Sequence, residues 1–291
     1  MKKLLLRSLV GMTVLLSQTS QAQVVLSNQP ISVKEGGVAN LLTKVKKSVA
    51  IKILTNIDKD TSMMDHYMEC NGVTEVPGAY VCVTFYQADL NDAFTRIGLF
   101  MGAGKGLKQG TLLQASDWKL KNYKKLVAGH NMPGKTIIDF YNNTKKKPAI
   151  KLNKMEASFK ASFVNNPVIQ AKKDNYYVIG LSVQSTKSQE SVVSHEIFHA
   201  QYLLTPNYKE TVDKFWQTQV SSEDKKKIKE TLGKAYNTED TIIIDEFQAY
   251  LIQDNAEKDF LQEFVKAYRN KLINALKLAD VEIVSVKDPS N

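Results

Sequence analysis

The sequence predicts an α+β fold, on three observations. Segments with strand character, β-branched and alternating, are confined to the part of the 291-residue chain before residue 184. Beyond that point apolar residues recur at helical spacing almost to the C-terminus. A polar, proline-terminated run, "NNTKKKP" (142–148), is the best candidate for a boundary, dividing the chain into regions 23–150 and 151–291.

The first residues stand outside that fold. "MKKLLLRSLVGMTVLLSQTSQAQ" combines Lys2, Lys3 and Arg7 with an apolar run too short to span a bilayer and a small-residue site at Ser20-Gln21-Ala22. That is the pattern of a secretory signal peptide, residues 1–22, cleaved after Ala22, and it predicts an exported protein, periplasmic or secreted. An oxidising destination makes a disulfide the default for the two cysteines, Cys70 and Cys82. Asn71-Gly72 and Pro77-Gly78 lie between them, as a stapled loop or hairpin requires.

Within region 23–150, "VANLLTKVKKSV" (38–49) has helical spacing, while "VAIKIL" (49–54) and "YVCVTFY" (80–86) read as strands. Helices are expected over 90–101 and over 116–129, the latter opening on Ser116 and closing at Gly129. In region 151–291, "NYYVIGLSV" (175–183) reads as a strand. Thr186 and Gln189 then fit a capping box, so a helix should begin near residue 187 and stop near Leu204, ahead of Pro206. Further helices are expected over 207–220, 221–236, 240–252 and 257–279.

Several function classes are disfavoured. The net charge is +9, but the lysines are spread apart from short runs at 145–147 and 225–227. With no basic-aromatic stripe they read as solvated faces, not a nucleic-acid surface. "GAGKGLKQG" (102–110) lacks both the Gly-Lys-Ser/Thr and the GxGxxG spacings of phosphate loops, and reads as a turn. No later segment has the length and apolarity of a membrane span, so no stable insertion is expected after cleavage.

The chemistry is carried by "SVVSHEIFHAQY" (191–202), which holds His195, Glu196 and His199 in the order HExxH. Residues four apart on a helix share a face, so two imidazoles can meet one metal ion. Glu196 projects beside that ion, where its carboxylate can take a proton from a water the ion has activated. A catalytic zinc usually has three protein ligands, and the extended pattern HExxHxxGxxH fails at Tyr202 and Thr205. Most downstream acids lie in lysine-rich segments. Asp245 and Glu246 instead interrupt the apolar helix "TIIIDEFQAYLI", where an ionised carboxylate is costly unless paired or metal-bound. Glu246 shares a stripe with Ile242, Ala249, Tyr250 and Gln253, and the small Ala249 permits close helix approach. Glu246 is therefore the expected third ligand, with Asp245 either bonded to a ligand histidine or paired to a lysine. His130, in "AGHNMPG", reads as a loop residue with a surface role, and His66 has no evident functional partner.

His195-Glu196-Ile197-Phe198-His199 together with Glu246 in "DEFQAY" resemble the gluzincin branch of the zincin metallopeptidases, over roughly residues 175–280. The resemblance implies a zincin-like core in 151–291: a mixed sheet whose edge strand, expected at 176–183, aligns a peptide over the active-site helix and the glutamate helix. It implies zinc on His195, His199 and Glu246, with Glu196 as general base and then acid. Zincins commonly add a tyrosine or histidine on the oxyanion, for which Tyr250 and Tyr236 are the candidates. The chain departs from thermolysin-like members in having Tyr250 four residues after the ligand Glu, and from short-spaced aminopeptidases in having Thr218 at their third-ligand position. The implied function is zinc-dependent hydrolysis of peptide or protein substrates. Alternatives are a non-catalytic zincin-like binding protein and a peptidoglycan-directed amide hydrolase.

Overall fold

Two strands apolar on both faces organise the protein. Both the "AYVCVT" and "YVIGLS" segments are fully buried, which requires neighbours on either edge and helices above and below. The computed structural model describes residues 22–34, 37–55, 66–102, 107–114, 116–117, 129–184, 189–234, 236, 238–253 and 261–284. The expected signal peptide, apart from Ala22, and most of the expected 116–129 helix lie outside these residues, as do 185–188 at the start of the expected motif helix.

The chain runs β1 (Gln23–Leu26), α1 (Gly37–Thr55), β2 (Tyr67–Gly72), β3 (Ala79–Thr84), α2 (Gln87–Met101), β4 (His130–Pro133) and α3 (Gly134–Lys146). It continues through α4 (Lys154–Phe159), which passes into a π-helical turn (Lys160–Val164), then α5 (Pro167–Ala171) and β5 (Tyr177–Ser182). Five helices follow: α6 (Gln189–Leu204), α7 (Pro206–Gln219), α8 (Ser222–Leu232), α9 (Asp240–Ile252) and α10 (Gln262–Leu278). No helix among the described residues is long and apolar enough to cross a membrane.

The five strands form one mixed sheet in the order β1-β2-β3-β5-β4. β1 and β2 are parallel, as are β3 and β5; β2–β3 and β4–β5 are antiparallel. Side chains alternate between two cores. Val81, Val83, Tyr177, Ile179 and Leu181 face α1 and the five C-terminal helices. Tyr80, Cys82, Met132 and Val178 face α2, α3, α4 and the π turn. A disulfide joins Cys70 to Cys82, directly opposed across the β2–β3 hairpin.

The α+β class holds, with four departures in detail. Residues 49–54 are the last turns of α1, not a strand. No glycine or proline separates "VAIKIL" from the helical pattern before it, and a short apolar run fits either period. β5 is an interior strand, not the sheet edge, because its two buried faces are flanked by β3 and β4. The edge beside it is β4. The sheet draws strands from both sides of the polar run at 142–148, with β5 inserted between β3 and β4, so among the described residues 151–291 contributes one strand to a shared sheet. His130 is a buried strand residue, 4 % exposed and edge-on to Phe94, not a surface loop residue.

Two close approaches set the packing between β5 and α2. A Cβ on Gly180 would lie 2.7 Å from Phe94 Cδ2 and 3.0 Å from Leu90 Cδ1. Gly180→Ala is thus expected to cost about 1–3 kcal/mol by overpacking, read as a lower denaturation midpoint. Burial also pushes the His130 pKa down to about 3. The unfolded chain takes up this proton near pH 6.5. The stability His130 contributes is therefore complete above that pH and is lost as pH falls toward 3, at up to about 1.4 kcal/mol per pH unit. His130→Leu should show a shallower loss of stability in acid titrations; parallel wild-type and variant curves would refute this.

Candidate metal centre

The motif helix is central because most of its described side chains are buried. Val193, Ile197, Phe198 and Ala200 of α6 enter the core between the sheet and the outer helices, and Pro206 opens α7 directly after it. α9 packs on α6 and is pinned there by Gln248. That fully buried amide donates to the Phe198 carbonyl of α6 at 3.2 Å and accepts from Tyr208 of α7 at 2.7 Å. Ala249, on the same helix, is also fully buried.

This packing brings His195, His199 and Glu246 together, with one ligand atom of each within 4.8 Å of the others. The two Nε2 atoms are 3.1 Å apart, and Glu246 Oε2 lies 3.5 Å from His195 Nε2 and 3.6 Å from His199 Nε2. The other ring nitrogens are already committed. His199 Nδ1 donates to Asp245 Oδ1 at 2.8 Å, and His195 Nδ1 to Gln253 Oε1 at 2.6 Å. Both bonds fix the Nδ1–H tautomer and turn both Nε2 lone pairs toward each other and toward a carboxylate. Glu246 Oε2 is buried and has no hydrogen-bond partner among the described residues.

Three converging electron-rich atoms need a positive charge between them. His199, 2 % exposed, shows the demand directly. Burial opposes its protonation, yet Asp245 and Glu246, with Glu196 behind them, outweigh that and raise its pKa to about 10. Burial likewise opposes ionisation of Glu246, and the two imidazoles overcome it, holding its pKa below the usual carboxylate value. A divalent cation would replace the proton and meet all three atoms at once, so the residues present fit a metal ion. Two imidazoles and a carboxylate suit zinc and other divalent ions alike.

Around the triad, Glu196 is half-buried, and its Oε2 accepts from Asn131 Nδ2 at 2.6 Å. Asn131 sits on β4, opposite Ile179, on the face turned toward α6. Both candidate tyrosines are adjacent: Tyr250 lies with its ring 4.6 Å from that of His195, and Tyr236 is close enough to help hold the Glu246 pKa down. Their hydroxyls are 2.9 Å apart. Burial, then Glu246, Tyr250 and Glu196, keep the Tyr236 phenol protonated far above its usual range. Asp245 bonds His199 and also accepts from Gln248 at 3.1 Å. His130 faces the opposite core, and His66 pairs with Asp89 at 2.6 Å away from the triad.

Two residues here escaped the sequence reading. Gln253 lies on the Glu246 stripe, so helical spacing carried a signal, but its polarity alone gave it no role. Asn131 had none, because only strand pairing brings it near Glu196. If the triad binds one divalent ion, Asp245→Ala and Gln253→Ala should each weaken zinc about 10–100-fold, and Glu246→Ala should abolish stoichiometric binding, measured by competition with a chromogenic chelator. Equal affinity in all four proteins would place the metal elsewhere or nowhere. Comparison of the chain with protein-family models, with curated proteins and with solved structures gave no match, so the reading of this centre rests on its own geometry.

Proposed function

We propose that the protein is an exported zinc-dependent hydrolase of peptide bonds, of the zincin type. One observation carries the reading: a His-His-Glu cluster with both Nδ1 atoms committed lies beside a carboxylate, Glu196, that belongs to none of the ligand positions. A site that only stored metal would have no use for that carboxylate. Held by Asn131 at the sheet edge, Glu196 would be free to move protons beside an ion bound to the triad.

A zinc ion on His195, His199 and Glu246 would supply Lewis acidity, lowering the pKa of water and polarising a carbonyl. Glu196 would take the proton from the attacking water at its carboxylate and return it to the departing amine. The Asn131 amide orients that carboxylate, and Asp245 and Gln253 orient the imidazoles. Tyr250 and Tyr236, hydroxyl to hydroxyl, would offer a phenol donor to the carbonyl oxygen as it gains charge.

β4 supports a peptide as substrate. It is an edge strand of four residues among the described elements, and its outer backbone groups can pair with an added extended chain. Asn131 ties that strand to Glu196, so a peptide docked there would lie along the base. The buried disulfide is compatible with the oxidising compartment that export implies.

The test is hydrolysis of casein by the zinc-supplied chain from Gln23 onward. Glu196→Gln should keep zinc and lose at least about 100-fold in rate, and Asn131→Ala should lose about 10-fold. Zinc binding with casein untouched, in wild type and variant alike, would favour a binding protein; release of fragments from purified sacculi alone would favour the peptidoglycan hydrolase.

A further inference from the structure

The face of the sheet away from the metal centre carries a cavity of its own. About 340 Å³ in volume, it lies between α3, the π turn and α5, and reaches down to Tyr176 beside β5. Its deep wall is apolar: Ile138, Val164 and Ile169 with the rings of Tyr141 and Tyr176. Lys160 and Lys173 are the charged residues that line it, and no acid does. Neither lysine is in an ion pair among the described residues, though Lys160 lies 5.5 Å from the Tyr141 ring centroid.

Two further features distinguish it from an ordinary surface dent. Tyr176 is fully buried, and its hydroxyl has no hydrogen-bond partner among the described residues. Leaving such a group unsatisfied is costly, so an acceptor that reached it would be favoured. Lys173 holds a left-handed backbone (φ 57°), uncommon for a residue with a side chain, where α5 turns back toward β5. The adjoining π turn is a second irregularity of the kind that often accompanies a binding site.

We propose that this cavity binds a small organic carboxylate with an apolar body. The carboxylate would lie between Lys160 and Lys173 and accept from the Tyr176 hydroxyl, while the body packs on Ile138, Val164 and Ile169. A carboxylate only accepts, matching two ammonium groups that only donate and a phenol O–H with no acceptor of its own among the described residues. A cationic ligand finds no carboxylate partner in the lining.

The proposal is independent of the hydrolase reading and can be tested apart from it. Isothermal titration of the zinc-supplied chain from Gln23 onward would use phenylacetate, with phenethylamine and inorganic phosphate as probes of charge and of the bare anion. Phenylacetate is expected to bind saturably in the millimolar range. Tyr176→Phe, which removes one oxygen from a buried ring, should weaken it about fivefold or more, and the Lys160→Ala/Lys173→Ala pair should weaken it further. Glu246→Ala, across the sheet, should leave phenylacetate binding unchanged. The proposal is overturned if phenylacetate fails to bind at about 10 mM, if Tyr176→Phe binds as well as wild type, or if either control probe binds as tightly. Loss of binding in Glu246→Ala would also overturn it, by assigning the carboxylate to the metal centre.

Discussion

The convergence of three carboxylates, one buried and two half-buried, on two imidazoles is the constraint on which the C-terminal half depends. Asp245, Glu246 and Glu196 act on one fully enclosed histidine, His199, and such a cluster is tolerable only with positive charge inside it. A proton supplies that charge at the Nε2 edge, and a divalent cation would supply it with three ligands already in place. The helices around the cluster are arranged to keep these atoms converging. α9 cannot slide along α6 without breaking the Gln248 bonds to Phe198 and Tyr208, and Gln253 and Asp245 fix both rings from behind.

The sheet serves the same end from below. Because β5 is apolar on both faces, it must lie inside the sheet, and β4 becomes the edge. The alternation of an antiparallel strand then decides which side each β4 residue meets. Asn131 turns to α6 and Glu196, whereas His130 and Met132 turn to α2. A one-residue slip of β4 would exchange them, moving the amide from the carboxylate into the opposite core.

The two cores handle buried polarity differently. On the far face, Arg96 of α2 meets Glu156 of α4 at 3.3 Å, both almost wholly buried. Arg96 also donates to the Lys151 carbonyl at 2.8 Å, and Glu156 closes the capping box on Asn153. Those bonds are spent on joining helices, with the charges matched one to one. At the candidate metal centre the carboxylates outnumber the cations, an excess that a one-to-one structural ion pair lacks.

How much of this was legible in the chain follows from the range of each signal. HExxH and the carboxylates interrupting "TIIIDEFQAYLI" are local patterns on two helices, so spacing and the cost of burying charge were enough to select His195, His199 and Glu246. α9 spans the residues expected of it, and α6 ends where Pro206 requires. The α+β class followed from the same periodicities. Sequence could not tell "VAIKIL" in α1 from a strand, because a short apolar run fits both periods. Strand order, the identity of the edge, the interleaving of β5 between strands from the first region, the burial of His130 and the reach of Asn131 to Glu196 all depend on contacts between segments distant in the chain. Local pattern fixes which side chains share a helix face; only the packing of one element on another decides what that face meets.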